Sequence, residues 1–166
     1  IKANKEKLLL GELILEDETG LKIPKSAETS KRFYVVPESY LTMGGNTNTT
    51  GVMRKRTTSD GETITEFINV TVYYQHEGYV YLDPNVFDKS DVLIKTDSME
   101  TFALAETRSL KGVFCINKGY AVFKQIKILC ESDEYYIVEE GNSFGLSNYD
   151  HIALDSKSIK ENDFVY

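Results

Sequence analysis

Apolar and polar residues alternate along this chain in short runs, and the runs are separated by turn residues. Leu8 to Leu15, Leu21 to Ile23, Phe33 to Val36, Gly51 to Thr57 and Glu62 to Tyr74 follow this pattern in the first half. Tyr79 to Leu82 and Asp91 to Lys95 continue it, and Phe102 to Leu104, Gly112 to Ile116, Tyr120 to Leu129 and Tyr135 to Val138 carry it on. His151 to Leu154 and Phe164 to Tyr166 close the series. A period of two places alternate side chains on opposite faces of a strand. Between the runs stand Asp17-Glu18-Thr19-Gly20, Asp60-Gly61, Gln75 to Gly78 and Asn117-Lys118-Gly119, all turn chemistry. Pro37 to Leu41 reads as one helical turn with proline at its first position. Met43 to Thr50 reads as a loop by composition, and no helix longer than two turns is supported. The prediction is an all-β fold of short antiparallel strands, a β-barrel plus a second, related β unit.

The relation between the units rests on an internal match. Glu66 to Leu82 aligns without gaps on Val122 to Val138. Phe67/Phe123 and Tyr79/Tyr135 are identical, and Val70/Ile126, Val72/Ile128, Glu77/Asp133 and Leu82/Val138 are like for like. A Gly-Val pair precedes each copy, at Gly51-Val52 and Gly112-Val113, and Ala-Glu-Thr stands upstream of both, at Ala27 and Ala105. The match predicts similar strand–turn–strand units over 51–95 and 112–154. It divides the chain into a barrel-like unit at 1–99, with the 43–50 loop, and a C-terminal unit at 100–166.

Composition narrows the function. With 166 residues, 41% hydrophobic and 27% charged, the chain can bury a core without disulfides or metal. A net charge of −7 argues against nucleic acid as partner. The basic cluster Arg54-Lys55-Arg56 reads as a solvated hairpin end. The pairing of strands around Lys118-Gly119 places Cys115 near Val122 or Phe123, away from Cys130, so both thiols are expected free. The chain opens on Ile1 rather than Met, which reads as a fragment of a longer protein.

Chemistry-bearing motifs are sparse. No phosphate loop, zinc-type cysteine spacing or nucleophile elbow occurs, and no cofactor is expected. His151 reads as a structural histidine at a strand start, ahead of a hydrolase site, and His76 as a turn residue. Exposed tyrosines Tyr73, Tyr79, Tyr81 and Tyr136 could hold sugar or peptide, against the plainer reading of cross-strand pairs.

Several segments carry a family resemblance. Gly112 to Ile128, Glu134 to Gly141, the Ile23-Pro24-Lys25-Ser26-Ala27 step and the ending Ser158 to Tyr166 resemble the HlyD-like membrane fusion proteins, or periplasmic adaptor subunits. Val86 to Ile94 resembles the family's closing step in the first unit, although Ser90 and Asn162 stand where that step usually has glycine. The resemblance implies a non-enzymatic, extracytoplasmic adaptor that assembles with a membrane transporter or envelope proteins, and with itself. It implies contact with the membrane only through an anchor absent from this chain. Loops on a rigid scaffold often carry binding, which makes the 43–50 loop and the loop holding Asn142, Phe144 and Tyr149 candidate partner contacts beside Tyr73, Tyr79 and Tyr81. The alternative is a β module that binds carbohydrate or peptide.

Overall fold

In the computed structural model, residues 20–44 and 48–165 are described. The strands in chain order are β1 (Leu21–Pro24), β2 (Thr29–Pro37), β3 (Leu41–Gly44), β4 (Thr49–Thr57), β5 (Thr63–Asn69), β6 (Val72–His76) and β7 (Tyr79–Leu82). They continue as β8 (Val92–Ile94), β9 (Thr101–Ala103), β10 (Thr107–Asn117), β11 (Tyr120–Gln125), β12 (Ile128–Glu131) and β13 (Tyr135–Val138). Three 3-10 turns, at Lys25–Ala27, Glu38–Tyr40 and Pro84–Val86, complete the regular structure of the described residues. The fold is all-β, with a nearly closed five-stranded antiparallel barrel and a curled half-barrel sheet. The Leu8 to Leu15 run and Tyr166 lie outside the described residues.

The chain forms two units, but not as consecutive halves. Among the described residues, those up to Lys31 belong with those from Leu110 onward, and Arg32–Ser109 form the other unit. A cut between residues 99 and 100 would separate β1 from its partner, since Leu21 pairs with Val138 and Pro24 with Tyr135. Below, the outer unit is the discontinuous one and the inner unit is 32–109.

In the inner unit, β4 is the organising strand. Its first half pairs with β3 and its second with β8 along one edge, and β5 runs along the other. The second half of β2 pairs with β7, and β7 with β6. In the outer unit, β10 and β11 form a hairpin, and β1, β13 and β12 form a three-stranded sheet.

The two units repeat one design. Gly51 opposes Asn69 and Gly112 opposes Gln125, in corresponding registers. A Cβ on Gly51 would strike the Phe67 ring and the Ile68 carbonyl, and one on Gly112 would strike the Phe123 ring and the Lys124 carbonyl. An aromatic ring thus covers a strand glycine at the same place in each copy. The Val70 N–H donates to the Thr50 carbonyl and the Ile126 N–H to the Lys111 carbonyl, turning the same corner. The bulge between Val72 and Tyr74 recurs between Ile128 and Cys130. Pro37 opposes Tyr79 and Pro24 opposes Tyr135, each just before a 3-10 turn. The cores correspond as well: Ile23, Val113, Ile126, Val138 and Leu146 stand where the inner unit has Val36, Val52, Val70, Leu82 and Phe87.

The same register shows how the copies are joined. Thr29–Lys31 correspond to the end of β3, and Leu110 corresponds to the start of β4. The inner copy is therefore inserted in the outer one where the inner copy makes its own β3–β4 connection.

The expected 43–50 loop is shorter, because Met43–Gly44 pair with Thr49–Thr50. Glu62 to Tyr74 and Tyr120 to Leu129 are each two strands, because the chain changes pairing partner at Val70 and Ile126. Ala27 ends a 3-10 turn while Ala105 follows β9, so the repeated Ala-Glu-Thr is not a structural equivalence. The hairpin turns are as expected: Glu77 and Gly78 have φ of 48° and 80°, the left-handed pair that a two-residue turn requires. Cys115 opposes Val122 and both cysteines are free.

Candidate functional site

The six candidate contact residues are divided between the units. Three lie in the inner unit and three in the outer. Tyr73 is half-buried, with its ring 4.9 Å from that of Phe33. Tyr81 is only 5% exposed and packs against the Tyr74 ring at 5.3 Å, a cross-strand pair. Tyr136 is buried as well, so neither Tyr81 nor Tyr136 is the exposed ring that alternation suggested. Asn142 organises its own loop, accepting the Phe144 N–H on Oδ1 at 2.8 Å, and Phe144 is half-buried. Tyr79 and Tyr149 are the two that present rings to solvent, Tyr149 at 90% exposure.

Tyr149 also has an unusual backbone. Its φ of 72° is left-handed, a conformation costly for a bulky side chain. The turn holding it recurs. Asp150 accepts the Ser147 N–H, Asp91 accepts the Asp88 N–H and Asp163 accepts the Lys160 N–H, each just before a strand or bridge. Asn162 takes the equivalent of the Tyr149 position at φ 68°, as asparagine does readily.

Two concave regions neighbour these residues. In the inner unit a cavity of about 150 Å3 is lined by His76, Tyr79, Tyr81, Glu106 and Arg108. Its guanidinium is already engaged: Glu106 accepts from Arg108 Nε at 2.9 Å and from Nη2 at 2.8 Å. Those bonds, with one to Tyr81, raise the Arg108 pKa. In the outer unit a groove of about 180 Å3 runs between β1 and the segment from Leu146 to Ile152, with Tyr149 at its rim.

The buried charges have structural partners. Arg54 donates to Asp91 at 3.1 Å and to Glu66, with the Asp91 side chain fully buried, so the basic cluster is not simply a solvated hairpin end. Asp150 corresponds to Asp91 in the outer unit. Burial pushes its carboxyl up, but the Lys124 ammonium at 2.9 Å and the Ser147 N–H outweigh that and hold it below its ordinary value. Burial, then Asp150, push the Cys115 thiol up, so the thiolate is disfavoured. Tyr136 donates to Glu28, and that bond followed by burial pushes its phenol up to about 12. His151 has an exposed side chain, and its carbonyl accepts from the Ile116 N–H at 2.7 Å. Among the described residues no three His, Cys, Asp or Glu gather as a metal site.

Compared with protein-family models, curated proteins and solved structures, the chain matches none.

Proposed function

We propose that this chain is the β portion of a non-enzymatic, extracytoplasmic adaptor of the HlyD-like type, which assembles with a membrane transporter or another envelope machine. The observation that carries the reading is the nested pair of related β units. An adaptor works by offering partners a rigid scaffold with exposed loops and strand edges. Two units sharing one glycine–aromatic ladder, with Tyr79 and Tyr149 exposed at turns, suit that task. The resemblance at Gly112 to Ile128 and at the Ile23 to Ala27 step points the same way. The alternative, a carbohydrate- or peptide-binding module, draws support from the same two exposed rings.

The test is the full-length reading frame and its neighbours, followed by recovery of the protein with its partner from detergent extracts. A membrane anchor before Ile1, an adjacent transporter gene and co-recovery of that transporter are expected. Deleting the loop from Asn142 to Tyr149 is expected to reduce co-recovery, and unchanged recovery rejects this loop as a contact. A glycan array with saturable hits and no transporter recovered would favour the alternative.

A further inference from the structure

The two copies also differ after the strand or bridge that follows the Asp91 and Asp150 turns. In the inner unit β9 pairs with β8 and the chain runs on to Glu106, whose carbonyl accepts the Val35 N–H at 3.1 Å. Phe102 and Leu104, two residues apart, both pack on the core. One extended segment thus bridges β8 and the inner half of β2. In the outer unit the chain leaves Ala153 by another route: the Ser156 N–H donates to the Ser26 carbonyl at 3.1 Å and its hydroxyl to the Glu28 carbonyl at 2.7 Å. Among the described residues β1 pairs with β13 alone, and no strand lies between β1 and Ile152. The 180 Å3 groove occupies that place, walled by Leu21, Ile23, Leu146 and Ile152.

We propose that this groove takes up an extended strand from a partner polypeptide, apolar at alternate positions and carrying a carboxylate opposite Lys22. The inner copy displays the fit. Its bridging segment offers Phe102 and Leu104 to the core and ends on an acidic residue at the edge. Lys22 stands where the inner unit has Val35 and is among the residues lining the groove. Its ammonium rests over the Tyr135 ring, 4.1 Å from the centroid, and it has no carboxylate partner among the described residues. Unpaired backbone at a strand edge is a template for strand addition. Lys22 biases that addition, because two copies meeting edge to edge would bring like charges together, whereas an acidic strand gains an ion pair. Tyr149 supplies the second argument. An aromatic held left-handed and 90% exposed lines the same groove, a costly conformation for a bulky side chain and one that leaves its ring free to meet a ligand there.

The inference deepens the adaptor reading and rests on it for what supplies the strand. The groove itself is tested on the full chain with a fluorescein-labelled peptide Thr-Phe-Ala-Leu-Ala-Glu-Thr, the sequence of 101–107, followed by anisotropy. Saturable binding is expected. Lys22→Glu should weaken it roughly five-fold, and a peptide with Lys in place of its Glu should recover the loss on that variant. Tyr149→Gly should weaken binding about five-fold while the Tm holds or rises, which separates a contact from a structural role. Absence of saturable binding, or binding indifferent to both substitutions, overturns the proposal. So does binding that appears only after residues 1–19 are removed, which would make the chain's own segment the occupant. A peptide that binds only by dissociating a dimer also overturns it, in favour of a second copy. Peptide binding without a recovered transporter would remove the adaptor reading and leave the groove; a recovered transporter with no peptide binding would do the reverse.

Discussion

At the scale of single residues, the polar network of the outer unit is the part whose energetics depend most on pH. Burial works to raise the Glu28 carboxyl, but hydrogen bonds from Tyr136 and Lys111 outweigh it and leave the pKa lowered. Its contribution to stability is therefore present above its ordinary value of 4.5 and is lost as acid protonates it in the fold. The Tyr136 phenol is shifted the other way, from 10.0 to about 12. Its stabilising effect is complete below pH 10 and is lost as pH rises towards 12. One hydrogen bond thus links both ends of the pH profile. Tyr136→Phe should flatten the alkaline decline in Tm and shallow the acid one, measured by thermal melts across pH. A variant whose profile overlays the parent at both ends would show that the bond contributes nothing. Asp91 is a different case, because its fully buried carboxylate neutralises Arg54 and caps a turn. Asp91→Ala leaves the half-buried guanidinium of Arg54 with Glu66 as its one carboxylate partner among the described residues and should cost roughly 3–5 kcal/mol in a urea titration.

At the scale of elements, the ladder glycines carry the most specific expectation. Gly51→Ala and Gly112→Ala should each destabilise by about 1–3 kcal/mol, since the added methyl meets a packed ring and a backbone carbonyl. A loss at one site with none at the other would mean that the two copies are not built alike. Much at this scale was legible in the sequence. The paired Gly-Val steps and Phe67/Phe123 marked corresponding ladder positions, and Asp60-Gly61 and Lys118-Gly119 marked hairpins. The strand breaks at Val70 and Ile126 were not legible, because both residues are apolar and β-branched and the chain there only exchanges one hydrogen-bonding partner for another. Burial within the tyrosine stripe was hidden for a related reason. Alternation gives the face of Tyr79 and Tyr81, whereas Tyr81 is buried by packing with Tyr74 and a hydrogen bond to Arg108, contacts set by pairing across strands. The groove was invisible too, since its walls come from opposite ends of the chain, Leu21 and Ile23 with Leu146 and Ile152, and periodicity reports only neighbours.

At the scale of the whole molecule, the nesting was missed because a ladder such as Leu21 with Val138 joins segments from the two ends of the chain, and periodicity reports only neighbours. It has a consequence that can be measured. An inserted domain is tolerated when its ends lie close together, because the host then closes around it with little loss of chain entropy. The Val35 N–H to Glu106 carbonyl bond brings together the two stretches by which the chain enters and leaves the inner unit. The core of Val36, Tyr40, Val52, Val80, Leu82 and Leu93 is contained between them. The outer core likewise draws only on residues before Lys31 and after Leu110. Each unit thus has a core cluster of its own, while β2 and β10 each carry residues of both units. Residues 32–109 expressed alone should unfold cooperatively in urea. The complementary chain, with Lys31 joined to Leu110 through a short loop like the one between Gly44 and Thr49, should do the same. The slope of each transition should fall below that of the intact protein in keeping with the smaller surface exposed. Small domains of this size are marginal, so a lower midpoint for either piece is expected. Loss of any cooperative transition in both pieces would mean that neither copy folds without the other.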